Sequence, residues 1–452
     1  MDMKPTICDK FGGSTFADHK GFDQAAEYLS HQLKTGYRPI AVVSAPKGVS
    51  DLLIDGADGR MGLQEVRERL DARYRGIIAN ITDGCHRQRA LREIEDELAR
   101  IELAMEGHGK DCFLALGENH SGILLSNALR AHGCEATYDD GYHAGVSVTG
   151  RGAVMDYKSM IKIRDRLQAR MARGNAVPVI GGYVGKTPRS RYKLMGRNTT
   201  DVTGALVSCA AKAVYYEIVK DVPGVFRVEP EFCQTGIAPK LSYGEAGQIT
   251  WRGAKVVHPS AISIARKNSL TMHIRNMDED SHTLISEQSG TTTEHPVAAI
   301  SAGKFYMLNI SDDIMNTAEG RGYLERIAGF FSQAGLDIFD AAMPANTISI
   351  TIPSKEYERG KTENELRRHL SEYGYSPDIS GREVGGISMT GEAMRRRPGT
   401  LSQLAGALSS RQISITMSSQ SDEAILSPTI NFYVDPDRLN EAVQAMCKEL
   451  FE

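Results

Sequence analysis

Only one of the 452 residues is tryptophan, and aromatic residues make up just 7% of the chain. No apolar run reaches the roughly 20 residues that a membrane-spanning helix requires, so no membrane partner is expected. Charge of one sign is lacking as well. With 53 basic and 57 acidic residues the net charge is −4, which argues against a general nucleic-acid-binding surface. Cysteines are few and scattered: Cys8, Cys85, Cys112, Cys134, Cys209, Cys233 and Cys447. None forms a Cys-x-x-Cys pair, which speaks against a structural zinc site and still more against a disulfide framework. They are expected to be small buried side chains or unreactive thiols. The N-terminal Met-Asp-Met-Lys-Pro lacks the charged-then-apolar layout of a signal peptide, so the expected location is cytoplasmic.

What is present is ordinary globular composition, 41% hydrophobic and 24% charged, at a length that corresponds to roughly three domains. Over residues 1–290 strand-like runs alternate with helical segments, the mark of a layered α/β domain. The runs are Pro5–Cys8, Pro39–Ser44, Ala176–Ile180 and Ala213–Val219; Leu63–Ala79 and Arg89–Leu103 carry charges at helical spacing. Glu287–His295 is polar and aperiodic and reads as a linker. Two units of the same element order follow, in residues 297–380 and 381–452. The first runs strand Met307–Ile310, helix Tyr323–Ala334, strands Leu336–Phe339 and Ile348–Ile352, helix Glu363–Tyr373. The second runs strand Gly386–Met389, helix Leu401–Leu408, strands Ile413–Met417 and Ile430–Val434, helix Leu439–Leu450. Two successive βαββα units predict a duplicated small α+β module.

Several segments carry chemistry. Lys10-Phe11-Gly12-Gly13-Ser14-Thr15 follows the first strand closely. Glycines there let backbone N–H groups approach a phosphate, and the lysine adds a cation to offset phosphoryl charge. Taken alone this motif is weak, because Gly-Gly turns after strands are common. Gly181-Gly182-Tyr183-Val184-Gly185-Lys186-Thr187 imitates a phosphate loop, but Ile180 stands where that pattern needs glycine. The loop Lys186–Arg197 holds five cations (Lys186, Arg189, Arg191, Lys193, Arg197) and no acid. It ends in Gly196-Arg197-Asn198-Thr199-Thr200-Asp201, where Thr199 and Thr200 are candidate caps of an apolar helix. An arginine can grip a carboxylate through two parallel hydrogen bonds. A solvated basic loop is the competing reading. Gly117-Glu118-Asn119-His120-Ser121 opens a helix running through Arg130, where a carboxylate also suits the helix dipole; His120 receives no catalytic role.

In this order the segments resemble the aspartate kinases of the amino-acid kinase family. The resemblance rests on Lys10–Ser14, Val42–Ala45, Gly117-Glu118 with Ser121, Gly181–Thr187, Gly196-Arg197 with Asp201, Lys220-Asp221-Val222 with Gly224-Val225, and Leu241–Glu245 leading to Gly253–Pro259. It covers nearly the whole chain, and the C-terminal pair looks like the family's two ACT modules. The fold it implies is an α/β amino-acid-kinase three-layer sandwich over residues 1–290. Two α+β, ferredoxin-like ACT domains would follow over 297–380 and 381–452. The activity it implies is transfer of the γ-phosphoryl group of ATP, with Mg²⁺, to the side-chain carboxylate of aspartate.

The resemblance also implies roles. Lys10 contacts the γ-phosphate, and Gly12, Gly13 and Ser14 form the phosphate-facing turn. Asp201 orients the lysine. Arg197 holds the α-carboxylate of the acceptor and Glu118 its ammonium, while Ser44, Ala45 and Ser50 line the pocket. Lys220, Asp221 and Lys255 fall where the family contacts the nucleotide. No side chain is assigned to a metal. The ACT modules imply an amino-acid effector and pairing into a homodimer or higher homo-oligomer. For the effector, the turns Glu319–Gly322 and Arg397–Thr400 offer free N–H groups ahead of a helix.

The family's Gly-Arg-Gly-Gly-Ser-Asp run here has Asn198, Thr199 and Thr200 in its middle, and Lys220-Asp221-Val222-Pro223-Gly224 and Glu229-Pro230-Glu231 also depart from the family pattern. Three function classes follow: an aspartate kinase, a related kinase of another amino acid, and a non-catalytic amino-acid sensor.

Overall fold

The computed structural model describes residues 4–107, 109–148, 157–171, 176–196, 198–252, 257–315, 317–422 and 427–452. They fall into two compact units. One comprises Met1–Val225 with Val257–Gln288, the other Phe226–Val256 with Ser289–Glu452.

The first unit is built on strands β1 (Thr6–Phe11), β2 (Arg38–Val43), β3 (Ala136–Asp139), β4 (Val177–Gly181), β5 (Tyr216–Val219), β6 (Met272–Arg275) and β7 (Thr283–Ser286). They lie in the order β3-β4-β2-β1-β5-β6-β7. All neighbours run parallel except β6 and β7. Runs such as Ile40–Val43 and Val177–Ile180 are apolar on both faces because a parallel sheet is covered on both sides. Phe11, Val43, Val179 and Val219 enter one core with Leu29, Tyr74 and Leu124 from the helices His19–Lys34, Leu63–Ile78 and Leu116–Ala131. On the opposite face the Tyr216 hydroxyl donates to the Asp201 carbonyl of the helix Thr200–Ala211 (3.1 Å). The unit is the expected three-layer α/β sandwich. The strand expected from Ala213 starts at Tyr216, and the helix expected over 89–103 is two helices, Gly84–Ala99 and Ile101–Gly107.

The second unit carries β8 (Ala299–Ser311), β9 (Asp340–Ala342), β10 (Thr347–Pro353), β11 (Asp378–Thr390), β12 (Met417–Ser421) and β13 (Thr429–Val434). The sheet order is β9-β10-β8-β11-β13-β12, antiparallel throughout. The long strands β8 and β11 pair along their whole length and join two modules into one sheet. Each module has two helices, Tyr323–Ala334 with Lys361–Ser371, and Thr400–Ser409 with Leu439–Phe451. The duplicated α+β order is therefore present. Two strands are displaced from their expected places: 336–339 gives way to β9, and 413–417 to β12. Leu336, Ile338 and Ile413 are apolar because they plug the cores from loops, not because they lie in strands.

The segment 287–295 has no regular structure, and the units divide within it, at Gln288. Phe226–Val256, expected within 1–290, packs with the second unit. The reading of all cysteines as unpaired is also corrected, because Cys233 and Cys447 form a disulfide across 214 residues. Their separation gives no local spacing signal for the pairing. Among the described residues no helix is long and apolar enough to cross a membrane.

One polar pair interrupts the core of the first unit. Asp9 on β1 and Glu217 on β5 are register partners, both buried. Gln32 donates to Asp9 (3.1 Å), the Tyr28 hydroxyl donates to Glu217, and His273 Nδ1 lies 4.0 Å from Glu217. Burial, reinforced by the neighbouring Glu217, pushes the Asp9 carboxyl well above the usual carboxylate range. The folded state therefore binds a proton that the unfolded chain has released, and stability falls as pH rises above the ordinary carboxylate range. Denaturant unfolding at pH 5 and pH 8 should show a loss of up to about 1.4 kcal/mol per pH unit from one such proton. Asp9→Asn should remove most of that slope; an unchanged slope would contradict the assignment.

Candidate active site

The C-terminal ends of β1, β2, β4 and β5 lie side by side, the edge at which open parallel sheets hold ligands. Lys10 stands one residue before the end of β1, on the face covered by Thr200–Ala211. Its Nζ lies 2.8 Å from Asp201 Oδ1, in the first turn of that helix, and both side chains are more than nine-tenths buried. The His258 backbone N–H donates to the other oxygen, Asp201 Oδ2 (3.1 Å). Burial pulls the Asp201 carboxyl upward, but Lys10 and then Lys220 outweigh it and hold it below its ordinary value. Burial lowers the Lys220 ammonium, with Asp201 opposing and Lys10 adding to the shift. Buried Lys10 and half-buried Lys220 thus both act on one carboxylate, beside a turn where a polyanion is expected.

The turn after β1 is shaped by close approach. A Cβ on Gly13 would sit 2.7 Å from the Ala45 carbonyl oxygen, so a side chain there would force two loops apart. The Lys47 N–H donates to the Gly13 carbonyl (2.9 Å), and the Ser44 N–H to that of Phe11 (3.2 Å). Lys10 Nζ and Ser14 Oγ each lie 3.7 Å from the place a Gly12 Cβ would take, so ammonium, hydroxyl and open backbone face one another.

Across the Ser44–Ala45 loop stands Glu118, in the first turn of Leu116–Ala131. Gly117 lets this helix approach, since a Cβ there would meet Ala45 Cβ at 2.6 Å. Burial pushes the Glu118 carboxyl up to about 8, against hydrogen bonds from the Ala45 N–H and its own. Its Oε2 is buried without a hydrogen-bond partner among the described residues. A buried carboxylate oxygen left bare is costly unless something cationic meets it. Ser50 is half-buried in the first turn of the helix Val49–Ala57.

The run that departs from the family pattern fits the fold in its own way. Asn198 has φ +62°, the left-handed region that glycine adopts freely and asparagine tolerates. The Thr199 hydroxyl donates to the Gly196 carbonyl (2.7 Å) instead of capping the helix. The Thr200 side chain lies over Gly182, where an added Cβ would come within 2.5 Å of its methyl. Both threonine side chains are engaged with the backbone of the site's own turns.

The structure thus brings Lys10, Gly12, Gly13, Ser14, Ser44, Ala45, Glu118, Asp201 and Lys220 to one sheet edge. Asp221 is exposed and acts electrostatically on Lys220. Arg197 and Lys255 lie outside the described residues. Gly181–Thr187 forms the end of β4 and one arm of the hairpin Val184–Lys186/Tyr192–Leu194, not a strand–loop–helix phosphate cradle. Of the basic-loop residues, Lys186 sits over the Tyr142 ring (4.7 Å) and Lys193 pairs with Asp111 (3.2 Å). His120 is wholly buried against the Tyr74 hydroxyl (3.0 Å), and desolvation holds its imidazole down to about 3, so it stays neutral. Sequence reading missed the His258 amide on Asp201, since a backbone donor leaves no residue-type signal. The Asp9–Glu217 pair was readable as two acids inside otherwise apolar strands.

The sequence profile described as "Amino acid kinase family" matches residues 6–276, and that described as "ACT domain" matches 387–450. The chain is 25% identical to aspartokinase 3 of Bacillus subtilis over 98% of each chain. It is 24% identical to the chloroplastic aspartokinase 1 of Arabidopsis thaliana over 100% of this chain and 81% of that one. Escherichia coli aspartokinase III, solved in complex with aspartate and ADP in its R-state, superposes with a TM-score of 0.79. That match has 20% identity and covers 99% of this chain and 100% of that one. Clostridium acetobutylicum aspartate kinase superposes with a TM-score of 0.78 at 20% identity and 99% coverage of both chains. A profile match over more than half of the residues, on a sheet whose edge carries the Lys10–Asp201 pair, places this chain in the amino acid kinase family.

Proposed function

We propose that the chain is an aspartate kinase, transferring the γ-phosphoryl group of ATP to the side-chain carboxylate of L-aspartate to give 4-phospho-L-aspartate. The observation that carries the reading is the juxtaposition of two half-sites. A cationic glycine turn of Lys10, Gly12, Gly13 and Ser14 suits a triphosphate, and the bare Oε2 of Glu118 beside Ala45 suits an ammonium. Aspartokinase relatives and the aspartate- and ADP-bound structure of one of them support the choice of acceptor.

The acceptor carboxylate is ionised at neutral pH and needs no general base. The site's task is alignment of two anions and screening of their repulsion, roughly 4 kcal/mol for unit charges about 4 Å apart at an effective dielectric of 20. Lys10 meets the transferring phosphoryl group while Asp201 fixes the ammonium's direction. Lys220, with Asp221 and Lys255, serves the nucleotide. Arg197 takes the α-carboxylate and Glu118 the α-ammonium, with Ser44, Ala45 and Ser50 closing the pocket. Mg²⁺ bound with the triphosphate would help to neutralise its charge, and no side chain is assigned to it. Thr199 and Thr200 are compatible with this acceptor, because the Thr199 hydroxyl is taken up by the Gly196 carbonyl and the Thr200 side chain packs on Gly182, while Asn198 supplies the left-handed backbone. The ACT modules bind an amino-acid effector and pair subunits into a homo-oligomer, and the enzyme works in the cytoplasm.

A hydroxylamine trap for acyl phosphate, run beside ADP release, tests the reading directly. Signal is expected with aspartate, whereas ADP release only with another amino acid, or none at all, would overturn it. Lys10→Met should lower kcat by roughly 10²–10³-fold, with acceptor KM little changed. The pH profile offers a separate check. Glu118 must be ionised to hold an ammonium, so the KM for aspartate should climb as pH falls below about 8, approaching tenfold per unit. Glu118→Gln should flatten that dependence while raising KM at pH 8; a Gln variant that keeps the wild-type profile would remove Glu118 from the acceptor site.

A further inference from the structure

The segment Phe226–Val256 leaves the first unit by sequence yet packs as part of the second. Its attachments within that unit are specific. The Ile300 N–H donates to the Arg227 carbonyl (2.7 Å), and the Arg227 guanidinium lies over the Phe451 ring (5.4 Å). Buried Glu245 accepts from the hydroxyls of Ser289 (2.7 Å) and Thr291 (3.2 Å) and from the Glu392 N–H (2.9 Å). Buried Arg252 reaches the Ser388 hydroxyl (3.3 Å) and lies over the Phe339 ring (5.0 Å). One attachment is covalent, the bond from Cys233 to Cys447 in the final helix. The chain's other described cysteines are free.

The segment's two ends matter for what this bond does. Upstream the chain has just left Lys220 and Asp221. Downstream it reaches His258, whose N–H holds Asp201. Residues on the nucleotide side of the site therefore bracket, along the chain, a segment tied to the ACT unit. We infer that Cys233–Cys447 is a reversible redox-modification site whose closure latches Phe226–Val256 onto the final helix and thereby sets the nucleotide affinity of the kinase. The activity arm of this inference rests on the function proposed above.

The chemistry balances as thiol–disulfide exchange with a small-molecule thiol such as glutathione. Cys447 is wholly buried and Cys233 only partly so, so an external thiolate attacks the Cys233 sulfur. A mixed disulfide forms there and Cys447 leaves as a thiolate. A second external thiolate then attacks the small molecule's sulfur, releasing oxidised glutathione and the Cys233 thiolate. Closure is the reverse, with glutathione disulfide as oxidant and two reduced thiols as products. In a reducing compartment a protein disulfide is typically transient and redox-sensing, not a permanent staple.

The full-length chain should be equilibrated with glutathione buffers of graded ratio and quenched with an alkylating agent. Non-reducing peptide mapping is expected to recover one peptide joining 233 to 447 in the oxidised protein. Opening the bond should lower the melting temperature by about 5 °C, as expected for loss of a long-loop crosslink. It should also raise the KM for ATP about fivefold or more, with the KM for the acceptor unchanged. Cys233→Ser and Cys447→Ser should each behave as the reduced protein under every buffer. Two thiols that remain fully alkylatable at the oxidising end would overturn the site. A bond that forms while leaving ATP KM the same in both states would overturn the regulation. A chain that shows the linked peptide and the melting shift but never releases ADP faults the kinase reading instead, because mapping and melting do not depend on activity.

Discussion

Everything at the site depends on one buried ion pair, Lys10 with Asp201. Taking two charges out of water is expensive, and such a pair persists only where geometry and further hydrogen bonds compensate. Here the second carboxylate oxygen is met by the His258 amide, and a second cation, Lys220, leans on the same acid. Lys10 and Lys220 thus converge on one buried carboxylate, with exposed Asp221 acting on Lys220 from outside. The pair also ties a strand end to a helix start, so the glycine turn after β1 and the first turn of Thr200–Ala211 are positioned by the same contact.

The acceptor side follows a complementary logic. In the proposed function Lys10 and Lys220 bring positive charge to the phosphate side, while Glu118 is a buried acid that burial holds above the ordinary carboxylate range, suited to an ammonium. Its helix can approach the Ser44–Ala45 loop only because residue 117 is glycine. Small residues at Gly13, Gly117, Gly181 and Gly182 are thus the means by which four chain segments converge. Charge supplies the recognition and glycine supplies the proximity.

Much of this was legible in the sequence, and the reasons it was legible are physical. Apolar, β-branched runs mark buried parallel strands, and the glycine turn after the first of them marked the end that holds Lys10; Ser44 and Lys220 were placed by the family resemblance. The element order of the C-terminal modules was readable from helical and strand periodicity. Loop residues that plug a core were not. Leu336, Ile338 and Ile413 carry the same apolar signal as strand residues, which moved two expected strands by a few positions. Asn198 looked like an intrusion into a glycine run until its backbone showed the left-handed conformation that explains it. The Cys233–Cys447 bond and the attachment of Phe226–Val256 to the second unit were invisible, because both depend on contacts between residues far apart in the chain.

The central claim is that a triphosphate and a zwitterion are held side by side at this sheet edge. A crystal structure of the chain with ADP and aspartate tests it most directly. The account predicts the nucleotide's terminal phosphate within hydrogen-bonding distance of Lys10 Nζ and the aspartate ammonium on Glu118 Oε2. Aspartate bound away from Glu118, or a nucleotide whose phosphates lie away from the Gly12–Gly13 turn, would contradict it.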